Sequence, residues 1–211
     1  IRDRDDYHLS EDLADQAIKW IRQQQTSTPD SPFFCYFAPP AVHAPHQAPK
    51  EWIDKYVGAF DEGWDALREQ IYKRQLNLGV IPEGTQLTAR PEQIPSWDSY
   101  PDRYKPVATR LMEVFAGFLA HTDAQIKRIL DCINETGCAD NTLVIYITGD
   151  NGASAEGTVH GAWSAPSFQN GVHEDPEWLL QHIDDFGTNK CENHFNVGWA
   201  WALDAPFQWM K

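Results

Sequence analysis

Asp150 and Asn151 stand side by side with a glycine on either flank, Gly149 and Gly152. A carboxylate and an amide oxygen are hard donors, the kind that Ca²⁺ and Mg²⁺ prefer. The same residues also suit a plain Asn-Gly turn. No paired strand follows at hairpin distance, so the hairpin form of that turn fails. The acidic spacing of an EF-hand loop is absent too. A second constellation is His43-Ala44-Pro45-His46. Its histidines are three apart with a proline between them, which excludes the helical His-Glu-x-x-His zinc pattern. One of them is a candidate general acid. The alternative is a pair of loop imidazoles bonded to backbone carbonyls. His121 and Asp123 fall on a helical stretch and suggest a structural hydrogen bond. His160, His173, His182 and His194 show no partner in the sequence. Trp199, Trp201, Phe207 and Trp209 read as packing aromatics rather than a ligand platform.

Two apolar runs would have to position these residues. Pro32-Phe33-Phe34-Cys35-Tyr36-Phe37-Ala38 leads into the histidines, and Thr142-Leu143-Val144-Ile145-Tyr146-Ile147-Thr148 leads into Asp150. Continuous runs of this length between turn signals suit strands buried on both faces of a parallel sheet. Parallel strands would place both polar ends on one rim, where open α/β sheets bind ligands. Helical spacing supports the α/β reading. Leu13, Ala17, Ile18 and Ile21 share a face, with Ser10 as the expected cap and Glu11 and Asp12 in the first turn. Phe115, Phe118, Leu119, Ile126, Ile129, Leu130 and Ile133 mark a helix over 111–135. Shorter helices are expected over 51–56, 66–76 and 178–183. The proline-rich stretch 82–106 is expected to wrap the surface or border a site.

The chain of 211 residues is long enough for a real core. It carries 17 basic against 31 acidic side chains, a net charge of −14. That field disfavours nucleic-acid binding, and an anion site would need local cations or a metal. No apolar run approaches the roughly 20 residues of a membrane span. Cys35 is expected to be a small buried hydrophobe. The sequence permits a Cys132–Cys138 disulfide without supporting it, and Asn134-Glu135-Thr136 fits a glycosylation sequon. These residues give an α/β chain with a candidate hard-metal site and a candidate acid–base histidine, and no reaction.

The run 32–38 followed by His43-Ala44-Pro45-His46-Gln47-Ala48-Pro49 resembles the middle of the type I sulfatases, particularly the bacterial arylsulfatases. Tyr146-Ile147-Thr148-Gly149-Asp150-Asn151-Gly152-Ala153 is similar to their metal-binding strand end. Asn193-His194, Gly198-Trp199-Ala200-Trp201 and Ala205-Pro206-Phe207-Gln208-Trp209 are similar to a stretch of one arylsulfatase branch. The resemblance spans essentially the whole chain. It implies an alkaline-phosphatase-like α/β fold with a mostly parallel central sheet, one Ca²⁺, and hydrolysis of sulfate esters of small molecules or glycans. It implies a formylglycine made from an upstream Cys or Ser, because no cysteine or serine here has the Cys/Ser-x-Pro-x-Arg context. It also implies that His43 protonates the leaving oxygen, that Asp150 and Asn151 are late metal ligands, and that Lys211 contacts the sulfate. Residues 1–211 are then expected to be an internal part of a catalytic domain, lacking the nucleophile region and the C-terminal region, and inactive alone. A periplasmic or secreted location follows by resemblance only. The competing readings are a phosphate mono- or diesterase of the same fold, and a non-catalytic glycan-binding relative.

Overall fold

The computed structural model describes residues 7–149 and 152–211. Asp150 and Asn151 therefore lie outside the described residues. The chain divides into two compact units, one of Ile1–His43 with Leu119–Thr148, the other of Ala44–Phe118 with Gly149–Lys211.

In the first unit α1 spans Leu9–Ser27. Its cap is His8 rather than Ser10: the His8 Nδ1 accepts the Ser10 amide at 3.2 Å, and Ser10 itself is buried in the first turn. An imidazole nitrogen satisfies an orphan N–H as a hydroxyl does, and this frees the serine to face inward. Ala14 and Ile21 pack against Ile129, Cys132 and Ile133 of the long helix α4 (Lys105–Glu135), with Ala17, Ile18, Phe33 and Phe37 around them. The ion pairs Arg22–Glu135 and Arg128–Asp15 lie on the exposed rim, where solvent and salt screen them. α4 begins at Lys105, not Leu111, because Pro106 sits in the first turn where its missing N–H costs nothing. Cys132 and Cys138 are free thiols.

The two expected strands require a correction. Neither 32–38 nor 142–148 forms a ladder, and no strand appears among the described residues. Most of their side chains lie in water: Phe34 is 86% exposed, Leu143 85% and Ile147 82%, while Phe33 and Phe37 are partly covered. Cys35, expected to be buried, is exposed as well. A parallel strand exists only by hydrogen bonding to neighbours and by cover on both faces. An apolar run by itself supplies neither. The mostly parallel sheet is thus not formed by these residues among themselves.

The second unit is built around α3 (Gly63–Asn77) and α7 (Val197–Leu203), which pack against each other. Their contact is a cluster of edge-on rings. Trp64 meets Trp97, Tyr100 and Trp199 at centroid distances of 4.7, 5.1 and 5.5 Å. Each such pair contributes about 0.5–1.5 kcal/mol beyond its burial. The indole N–H of Trp64 donates to the Pro95 carbonyl, and that of Trp199 to Ala108. Gly198 permits the close approach, since a Cβ there would lie 2.4 Å from Trp64 Cδ2. The stretch 82–106 does more than wrap: Ile94, Trp97 and Tyr100 plug into this core. Short helices α2 (Lys50–Ile53), α5 (Ala165–Gln169) and α6 (Pro176–Gln181) complete the unit. Isolated bridges pair Ala162 with His194 and Ser164 with Glu192.

Candidate active site

His43 and His46 separate sharply. His43 is exposed in a turn where its amide donates to the Pro40 carbonyl at 3.0 Å. His46 is buried in the second unit, with ring centroids 5.1 Å from Phe115, 5.1 Å from Phe195 and 4.9 Å from His194. Its amide donates to the Asn193 carbonyl. His46 is a packed core histidine, unavailable to a substrate. Lys211 is exposed, and its backbone N–H donates to the Ala153 carbonyl at 2.9 Å. His43 belongs to the first unit and Lys211 to the second.

The backbone just past Asp150 and Asn151 is held from several sides. Ala153 N–H donates to both carboxylate oxygens of Asp204, at 2.9 and 3.1 Å. Gly152 takes φ +97°, and a Cβ there would lie 2.8 Å from Asp204 Oδ1. Only a glycine fits both that dihedral and that approach. Asp204 follows α7 directly, and the segment beyond it is anchored by Arg68 of α3. The Arg68 side chain donates to the carbonyls of Trp201 (2.5 Å) and Phe207 (2.6 Å) and to Thr88 Oγ1 (2.8 Å). Its guanidinium also lies 4.3 Å over the Trp201 ring. Arg68 is 1% exposed. Burial lowers its pKa, and the Asp204 charge opposes that shift. A guanidinium keeps its proton regardless.

Two further features border this region. An open depression of about 270 Å³ has a mostly apolar wall that includes Ile94, Val159, Phe168, Val197 and Trp209, with Gln93 and Thr158 as its polar members. Beside it, His160 Nδ1 and the Tyr100 hydroxyl are 3.0 Å apart, and Asn196 Nδ2 reaches the same hydroxyl. The hydroxyl accepts from Asn196 and shares a hydrogen bond with the imidazole. Burial pushes the Tyr100 pKa up and the His160 pKa down, so both groups stay neutral near pH 7.

Of the other histidines, His121 makes a structural hydrogen bond to Glu11 at 2.9 Å within the first unit. His182 pairs with the Trp178 carbonyl, and His194 Nδ1 with that of Phe195. The tail aromatics divide: Trp199 and Trp201 are buried, Phe207 and Trp209 exposed. Among the described residues no His, Cys, Asp or Glu cluster could hold a metal. The donor chemistry of Asp150 and Asn151, two hard oxygens on adjacent residues, fits a Ca²⁺ ion. Sequence reading missed Arg68 and Asp204. Arg68 left one signal, its place four residues after Trp64 on a helix face that is otherwise buried. Asp204 left none.

The sulfatase family model matches residues 2–182. An arylsulfatase of Klebsiella aerogenes is 34% identical over 205 residues, covering 96% of this chain and 41% of that protein. An uncharacterized sulfatase of Schizosaccharomyces pombe is 32% identical over 207 residues, covering 97% of this chain and 35% of its own length. The chain thus spans less than half the length of these relatives. With order, spacing and residue types matched along nearly its whole length, this chain belongs to the sulfatase family.

Proposed function

We propose that the intact protein hydrolyses sulfate esters, releasing an alcohol or phenol and sulfate, and that these residues form the later part of its active site. The observation that carries this reading is the 2.9 Å bond from Lys211 N–H to the Ala153 carbonyl. It ties the lysine to the backbone two residues after Asn151. A lysine close in the fold to a segment that follows two hard oxygen donors would, with a cation bound by those donors, suit a tetrahedral oxyanion. Family membership and the match to an arylsulfatase support the same chemistry.

Each residue then has a role. The Lys211 ammonium pairs with a sulfate oxygen and answers the net charge of −14, which otherwise repels an anion. Asp150 and Asn151 would hold the Ca²⁺. His43, exposed where His46 is not, gives a proton to the departing oxygen, so that it leaves as an alcohol and not an alkoxide. When present, bound Ca²⁺ offsets charge on the sulfate, and a formylglycine in another part of the protein supplies the nucleophile. The mostly apolar depression, whose wall includes Trp209, supports an aryl or other apolar leaving group. An alkaline-phosphatase-like sheet would form when 32–38 and 142–148 gain strand neighbours.

The test uses the intact protein made in a host that generates formylglycine, with matched aryl sulfate and aryl phosphate substrates. Sulfate turnover should dominate, and Lys211→Ala should lower kcat/KM by about 100-fold, the scale of removing one charge-stabilising group. Preferential phosphate turnover, or an unimpaired Lys211→Ala enzyme, would overturn the proposal.

A further inference from the structure

Tyr100, His160 and Asn196 form a polar network in the second unit that the sulfate chemistry does not use. The Tyr100 hydroxyl lies 3.0 Å from His160 Nδ1, and Asn196 Nδ2 reaches that hydroxyl at 3.5 Å and the Val159 carbonyl at 2.8 Å. Tyr100 and Asn196 are both buried. One imidazole nitrogen is thus committed, and no other hydrogen bond to the His160 ring occurs among the described residues. His160 belongs to the wall of a small recess of about 80 Å³, with Glu156 and His173 among its polar members. The recess adjoins the mostly apolar depression, since Thr158 and Phe168 belong to both walls. Thr158 holds φ +58°, which a β-branched residue rarely adopts, and Val197 N–H donates to its carbonyl at 2.6 Å. The depression also lies close to Lys211. Ala155 and Trp209 in its wall are each two residues from the bonded pair Ala153 and Lys211, a chain length of about 7 Å at most.

We infer that the depression and the recess form one site for the organic part of the ester, and that the preferred substrates are aryl sulfates with a second, unsulfated hydroxyl on the ring. The inference rests on the sulfate-ester reading, with Lys211 at the sulfate. The ring lies against the apolar wall to which Phe168 and Trp209 contribute; the depression holds about 270 Å³, and about 150 Å³ is enough for benzene. The ring hydroxyl meets His160. A neutral imidazole has one donor and one acceptor nitrogen. With Nδ1 bonded to Tyr100, the other nitrogen offers whichever role remains, and a hydroxyl, donor and acceptor at once, satisfies either. Burial keeps this imidazole neutral, so it gives no charge to attract a ring carboxylate or a second sulfate. His160 is then a specificity-determining residue, and Tyr100 and Asn196 are positioning residues that act through it.

The experiment uses the intact protein made in a host that generates formylglycine, with phenyl sulfate and the three isomeric hydroxyphenyl sulfates. Their leaving phenols differ little in acidity, so rate differences among them report recognition of the hydroxyl. For at least one isomer kcat/KM should exceed that of phenyl sulfate by about three- to tenfold, the scale of one neutral hydrogen bond. His160→Phe should bring that ratio to about one. General loosening of the fold lowers both rates together and leaves the ratio where it was. Tyr100→Phe removes only the hydroxyl that orients the imidazole, and should lower the ratio by about twofold or more. A wild-type enzyme that prefers no hydroxyl isomer, or a ratio that survives His160→Phe, overturns the inference. If His160→Phe does not fold, Tyr100→Phe decides: an unchanged ratio refutes and the fall supports. Failure of the underlying reading looks different. An intact enzyme that turns over none of the four sulfates removes both proposals, whereas equal turnover of all four leaves the sulfate-ester reading and removes only this one.

Discussion

Replacing Arg68 with methionine removes a buried charge while keeping most of the volume. Two carbonyls, those of Trp201 and Phe207, lose their donor inside the second unit. The buried Trp201 carbonyl costs about 1–3 kcal/mol once orphaned, whereas that of exposed Phe207 turns to water at little cost. The guanidinium's contact with the Trp201 ring, at 4.3 Å, adds about 1 kcal/mol. Thr88 Oγ1 loses little, because it still donates to the Pro206 carbonyl at 2.9 Å. Against these losses, the variant no longer desolvates a cation that is 1% exposed, which returns a few kcal/mol. The net destabilisation is about 2 kcal/mol, roughly thirtyfold in the folding equilibrium. Arg68→Lys should fall in between, since one ammonium cannot span both carbonyls as the planar fork does. Urea unfolding followed by tryptophan fluorescence reads the loss, and hydrogen exchange locates it in residues 201–207. A loss below about 1 kcal/mol in Arg68→Met, or unchanged exchange there, would refute the anchoring role.

Three other outcomes follow from particular contacts. In the intact protein, His43→Ala should lose more rate on poor leaving groups than on nitrophenol, which needs no proton; equal losses across a leaving-group series would count against a proton-donor role. Gly198→Ala places a methyl 2.4 Å from the Trp64 ring, so stability should fall by about 1–3 kcal/mol in denaturant titrations, and an unchanged midpoint would show that the helices can part freely. His160 is held neutral by burial, with its folded pKa below the ordinary value. The unfolded chain therefore takes up the proton first as pH falls, so this contribution is complete above about pH 6.5 and is lost progressively below it. His160→Gln should flatten the stability profile between about pH 7 and 5; a slope matching wild type would contradict the neutral assignment.

The helices were legible in the sequence because their signals are local. The spacing of Ala17, Ile18 and Ile21 gave α1, and that of Ile126, Ile129 and Ile133 gave most of α4, since each turn is bonded within itself. The residue types of the candidate site were legible too: Asp150, Asn151 and His43 stand out by their chemistry and by family resemblance, whatever the fold. The apolar runs 32–38 and 142–148 misled because strand character is a relation between segments, and apolar composition does not supply the partner. Tertiary structure alone decided which of two nearby histidines is accessible, burying His46 among phenylalanines and leaving His43 outside. It also brought Arg68 to the carbonyls of 201 and 207 and Asp204 to Ala153. Such contacts depend on where distant backbone groups arrive, and a buried carbonyl or amide carries no mark of its partner in the sequence.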